Sequence, residues 1–139
     1  MRTACALLLC VAALAVPGPV GASWSRSATG PGAIKSKTMP AANGVPSGSV
    51  PLLSHEVTVT WSAAQFAGGG NVPGYAVKRY DSVTHTQQTI LSACSGIVAA
   101  TSCVEHSVPT GSWVYTVTPA AGSWRGTESG FSAAVVVGP

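Results

Sequence analysis

Apolar and polar residues alternate over Val57–Thr58–Val59–Thr60–Trp61. A two-residue period is that of a β-strand, so Val57, Val59 and Trp61 share one face and the threonines the other. The same period runs through Trp113–Val114–Tyr115–Thr116–Val117, which groups Trp113, Tyr115 and Val117. In Tyr75–Tyr80, Tyr75 and Val77 point inward, while Lys78 and Tyr80 share the outer face. These eight inward positions form the expected core: Val57, Val59, Trp61, Tyr75, Val77, Trp113, Tyr115 and Val117. Weaker strand patterns cover Val45–Val50, Thr86–Leu91, Cys103–Val108 and Ala133–Val137. The prolines of the first suit a sheet edge. Turn signals stand between them at Gly68–Gly69–Gly70–Asn71, Pro73–Gly74, Asp81–Ser82 and Pro109–Thr110–Gly111. Ala120–Gly130 is expected to be a loop. About seven short strands with turns between them and no helical period predict an all-β chain, an antiparallel seven-stranded β-sandwich.

The N-terminus has a different pattern. Arg2 precedes the unbroken apolar run Ala4–Val16, and Val20–Gly21–Ala22 supplies small residues after Pro17–Gly18–Pro19. This is the layout of a secretory signal peptide over residues 1–22, cut after Ala22. The run falls short of the ~18–20 residues of a membrane span, so no span is expected after cleavage. The alternative is an uncleaved anchor. Residues 23–44 read as a flexible Ser/Gly/Pro-rich leader containing one isolated tryptophan, Trp24. The domain proper is expected over residues 45–138. The expected location is therefore the extracellular space or the cell surface.

Composition narrows the partners. Only 8% of residues are charged and the net charge is +3, with the basic residues dispersed. Nucleic-acid binding calls for a dense basic face, so none is expected. Once the signal peptide is removed, Cys94 and Cys103 are the remaining cysteines. Export to an oxidising compartment makes a disulfide between them the expectation, against free thiols or a redox site. The spacing lacks the tight pairing of a redox motif.

Three pieces of the chain resemble a fibronectin type III domain. They are Val57–Trp61, Gly74–Tyr75–Ala76–Val77, and Val108–Pro109–Thr110–Gly111–Ser112–Trp113–Val114–Tyr115–Thr116–Val117. Trp61 matches the family's core tryptophan, and Val108, Pro109 and Gly111 match the residues that precede a corner aromatic. The resemblance spans roughly Val45–Val137 and implies a fibronectin type III/immunoglobulin-like sandwich. The cysteine pair looks like a variant found in small secreted bacterial proteins. Under the resemblance, the bond ties the edge strand of one sheet to the fifth strand in the other. Two positions depart from the family. Trp113 stands where a tyrosine usually ties down the corner, so an indole N–H must make that tie. Cys103 and Glu105 stand where the fifth strand is usually apolar. A buried unpaired carboxylate is costly, so Glu105 must reach a rim or a partner.

Candidate chemistry is sparse. His55–Glu56 and Glu105–His106 are adjacent pairs, and neighbours on a strand face opposite ways. No nucleophile elbow or phosphate loop occurs. No catalysis, metal or cofactor is expected. The binding candidates are Trp124 and Arg125, between the last two strands, and the outward Tyr80. Tryptophan and arginine dominate interface energetics. Trp124 has an equal alternative as a plug over the end of the core. The expectation is a secreted, non-catalytic binding or structural module whose partner is an extracellular protein or polysaccharide. A monomer is expected; the alternative is a self-assembling envelope or fibre subunit.

Overall fold

The structure is a computed structural model that describes residues 37–139. The expected signal peptide, Trp24 and the leader as far as residue 36 lie outside the described residues. Two antiparallel sheets face each other. The first contains β1 (Asn43–Ser49), β2 (Val57–Ser62) and β5 (Ser102–Glu105), in the order β1-β2-β5. The second contains β3 (Gly74–Asp81), β4 (Gln87–Gln88), β6 (Gly111–Ala121), β7 (Trp124–Arg125) and β8 (Val135–Val137). Its order is β4-β3-β6, and both β7 and β8 pair with β6. A short 3-10 turn, Ser92–Cys94, precedes the crossing from β4 to β5.

Alternation sets the core. Val57, Val59 and Trp61 from β2 meet Tyr75 and Val77 from β3 and Tyr115 and Val117 from β6, and all are buried. Each fully buried side chain of this size contributes roughly 1.5–3 kcal/mol. The Trp61 and Tyr75 rings meet edge to face, 5.5 Å between centroids. Trp113 is only half-buried, at the rim. Its indole N–H donates to the Pro109 carbonyl at 2.8 Å, which makes the corner tie that tyrosine makes elsewhere.

Several boundaries differ from the sequence pattern. Thr86–Leu91 contributes only Gln87–Gln88 to the sheet, and the strand expected over Cys103–Val108 stops at Glu105. Ser107 has φ 58, a left-handed conformation that ends the strand. The loop expected over Ala120–Gly130 contains a hairpin instead. Ala121 pairs with Trp124 across Gly122–Ser123, and Gly122 has φ 58. A two-residue hairpin turn needs this left-handed geometry, which glycine adopts without steric cost. Chain packing also begins before β1. The Ala42 amide donates to the Thr127 carbonyl at 3.1 Å, and the Lys37 ammonium lies 4.9 Å from the centre of the Phe66 ring.

Cys94 and Cys103 are bonded, with Cα atoms 5.3 Å apart. The bond joins the turn after edge strand β4 to β5 in the opposite sheet. Both cysteines are buried. Closing a loop of this length contributes roughly 2.5–3 kcal/mol in a chain-entropy treatment.

A buried ion pair also links the sheets. Arg79 on β3 is 4% exposed and Glu105 on β5 is fully buried. The Arg79 Nη1 donates to Glu105 Oε1 at 2.7 Å. The Leu91 amide donates to the same oxygen at 2.7 Å, and the Tyr115 hydroxyl to Oε2 at 2.9 Å. Arg79 Nη2 donates to the Thr89 carbonyl at 2.9 Å, and the guanidinium lies 4.9 Å from the Trp113 ring. Burial, then the Glu105 charge, push the Tyr115 phenol well above its ordinary range, so it remains a donor. Glu105 thus meets its expected requirement through a partner rather than a rim.

Removing one member strands the others. Arg79→Ala and Glu105→Ala are each expected to cost about 3–5 kcal/mol. The double variant is expected to cost at least ~1 kcal/mol less than the sum of the two. Urea unfolding of the four proteins measures this; strictly additive losses would show that the two side chains are not coupled.

Candidate binding face

The outer surface of the second sheet gathers most of the polar chemistry. β3 turns Ala76, Lys78 and Tyr80 outward, opposite Thr118, Thr116 and Val114 of β6. The segment between β7 and β8 then runs beside β6. Ser129 and Ser132 donate their amides to the Val117 and Tyr115 carbonyls, each at 2.9 Å. Their hydroxyl oxygens accept the Val117 and Tyr115 amides, each at 3.0 Å. Serine side chains therefore complete a ladder that the bent backbone does not. This course carries Glu128 over β6 and buries Thr116 beneath it.

Glu128 is the centre of a network. Lys78 Nζ lies 2.7 Å from Oε2, the Tyr80 hydroxyl donates to Oε1 at 2.9 Å, and the Thr116 hydroxyl donates to the same oxygen. Partial burial alone would raise the Glu128 carboxyl. The bonds from Lys78, Thr116 and Tyr80 outweigh it and hold the group below its ordinary range. The bond to Glu128 in turn raises Lys78. The Tyr80 ring meets Phe131 edge to face at 5.2 Å, and Phe131 stacks on His85 at 4.4 Å. At the end of β3, Asp81 Oδ1 accepts the Val83 and Thr84 amides and closes the expected turn. These bonds, with that from Thr84 the larger, lower the Asp81 carboxyl.

Next to this network lies a groove of about 320 Å³ lined by Ala76, Lys78, Thr118, Arg125, Gly126 and Glu128. Arg125 Nη1 donates to the Gly122 and Trp124 carbonyls at 2.7 and 2.9 Å. Trp124 is 60% exposed, so it is not a plug over the core. The fold therefore brings Arg125 to the same face as Lys78, Tyr80 and Glu128, while Trp124, its neighbour on β7, takes the opposite facing. Sequence reasoning did not single out Glu128, Phe131 or Thr116. The outward parity of Lys78 and Tyr80 was the available signal, since a carboxylate is their natural partner. An apolar hollow of about 400 Å³ also opens between Leu52–Leu53 and Val136, and no charged side chain lines it.

The histidines are dispersed among separate contacts. His106 Nδ1 lies 2.8 Å from Glu56 Oε1, a pair formed between the residue before β2 and the residue after β5 that neighbour-by-neighbour reading could not find. His55 Nδ1 donates to the Val108 carbonyl at 2.9 Å. Among the described residues, no group of three His, Cys, Asp or Glu side chains converges as a metal site would require.

No family model and no curated protein matches the chain. Among solved structures, it is similar to one of titin kinase and its flanking domains. The TM-score is 0.56 at 15% identity, over 71% of this chain. The match spans 17% of that chain's length. Identity this low carries the architecture alone: the described residues form an immunoglobulin-like β-sandwich.

The Glu128 network has a pH signature. Its carboxyl is lowered in the fold, so its contribution to stability is present above the ordinary value of 4.5 and is lost as pH falls through the folded value. The stability gap between wild type and Glu128→Gln is therefore expected to be level near neutrality and to close from about pH 4.5 downward. Urea midpoints across the acid range check this; a gap that persists unchanged at the lowest pH would contradict it.

Proposed function

We propose that the chain is a secreted, non-catalytic binding module of fibronectin type III kind. The observation that carries this reading is the β7 hairpin, which leaves Trp124 60% exposed on one face and places Arg125, on the other, in a groove with a firmly networked wall. Recognition residues tend to lie on loops held by a rigid scaffold, and this hairpin is such a loop. The fibronectin type III assignment is supported by β4, which pairs with β3. A constant-type immunoglobulin domain places its fourth strand in the opposite sheet. The signal-like N-terminus and the Cys94–Cys103 bond support export. A role without catalysis is supported by the scattered histidines, each engaged with a different neighbour.

Trp124→Ala is expected to change stability by no more than about 0.5 kcal/mol, because the side chain lies largely outside the core. Saturable binding to an extracellular protein or polysaccharide captured by the wild type is expected to weaken at least ~10-fold, the loss of a central anchor. Titrating the captured ligand against both proteins tests this. Equal affinity for the variant would remove the hairpin from the binding surface.

A further inference from the structure

β8 pairs with β6 on one side only, and its other side is an open sheet edge. Ser129 and Ser132 donate to the Val117 and Tyr115 carbonyls, so odd-numbered residues of β6 turn their backbone groups toward the final segment. Val135 and Val137 stand opposite Trp113 and Gly111 and continue that ladder. Val136 stands opposite Ser112, whose carbonyl turns the other way and accepts the Ser82 amide. The N–H and C=O of Val136 therefore point away from β6. Among the described residues, neither group has a hydrogen-bond partner.

The first sheet leaves this edge uncovered. β1 follows the final segment as far as Gly48, where a side chain would collide with Val135. The chain then departs through Pro51, which has no amide to offer. In the gap lies the apolar hollow of about 400 Å³, with Val136 and Gly138 on one side and Leu52 and Leu53 on the other. Val136 is exposed, and both leucines are almost wholly so. Leu53 is the third residue of the turn closed by the Ser54 amide on the Pro51 carbonyl, and its φ is 59. Glycine suits that place; a bulky residue there carries backbone strain. The turn thus accepts strain while holding an apolar side chain in water, which points to a contact made outside the chain.

The chemistry selects the occupant. A lipid surface would cover the leucines but offers no partner to the Val136 backbone groups. A strand satisfies both requirements. An antiparallel pair of hydrogen-bonded residues exchanges two bonds, so Val136 of a second copy is a complete match for Val136. No charged side chain lines the hollow, so two identical faces meet without repulsion. The three valines of β8 favour strand pairing, and no lysine or bulge blunts this edge. The exposed apolar area is small beside the ~1,200–2,000 Å² of a stable interface, so the association is weak and concentration-dependent.

We propose that two copies of the chain pair through the β8 edge, with Val136 on the two-fold axis and Leu52 and Leu53 of each copy closing over the joined strands. Such a contact uses the same patch on both partners and closes as a dimer rather than growing into a fibre. It involves none of the residues of the candidate binding face. The test is sedimentation of the secreted full chain from about 1 μM to 1 mM, with amide exchange at Val136 followed over the same range. A monomer–dimer equilibrium is expected, and the Val136 amide should exchange more slowly as concentration rises. Val136→Lys places a charge on the edge and is expected to weaken dimerisation at least ~10-fold. Leu53→Gly is expected to weaken it too, while its urea midpoint does not fall, because glycine adopts the left-handed turn freely. A monomer throughout would overturn the proposal, whether or not the tip then binds phosphatidylcholine vesicles or an apolar peptide. So would multimers that grow with concentration, or a dimer indifferent to Val136→Lys.

Discussion

The Arg79–Glu105 pair is the constraint around which this sandwich is arranged. Charges taken out of water are expensive, and a buried pair persists only where geometry and further hydrogen bonds offset the desolvation. Here the carboxylate accepts from Arg79, Leu91 and Tyr115, and the guanidinium also meets Thr89 and Trp113. These contacts come from both sheets and from the segment that crosses between them. The pair therefore specifies which strands face one another as well as contributing to stability. The Cys94–Cys103 bond fastens the same crossing from its other side.

β3 serves both the interior and the candidate binding face because of a two-residue period. Arg79 points inward and meets Glu105; its neighbours Lys78 and Tyr80 point outward and meet Glu128. One strand thus anchors a buried network and a surface network at adjacent positions. The surface network is partly solvated, with the Lys78 and Glu128 side chains 35% and 32% exposed. Its worth in stability is correspondingly modest. What it supplies is order: Glu128 holds the last segment over β6 and forms one wall of the groove.

Much of this is visible in the residues themselves. Alternation in Val57–Trp61, Tyr75–Val77 and Tyr115–Val117 marks the buried faces because the period of a strand is independent of distant contacts. The same alternation gives Arg79 the parity of Tyr75 and Val77, and Glu105 occupies an apolar position of its strand. Each residue alone is an anomaly. Their pairing is not legible, because it depends on two sheets meeting face to face. The candidate site was legible in part. Trp124, Arg125 and Tyr80 are recognisable by residue type and position. The Gly122–Ser123 hairpin was overlooked within a run of small residues. Glu128, Phe131 and the serines that complete the β6 ladder come together only through the irregular path of the final segment.

The central claim is that the Glu105 carboxylate holds the crossing segment against the core. Amide hydrogen exchange at Leu91 tests it most directly, because this amide lies outside the sheets and its hydrogen bond is to Glu105 Oε1. The account predicts that Leu91 exchanges as slowly as the amides of β2 and β3. Exchange as fast as that of an exposed turn would contradict it.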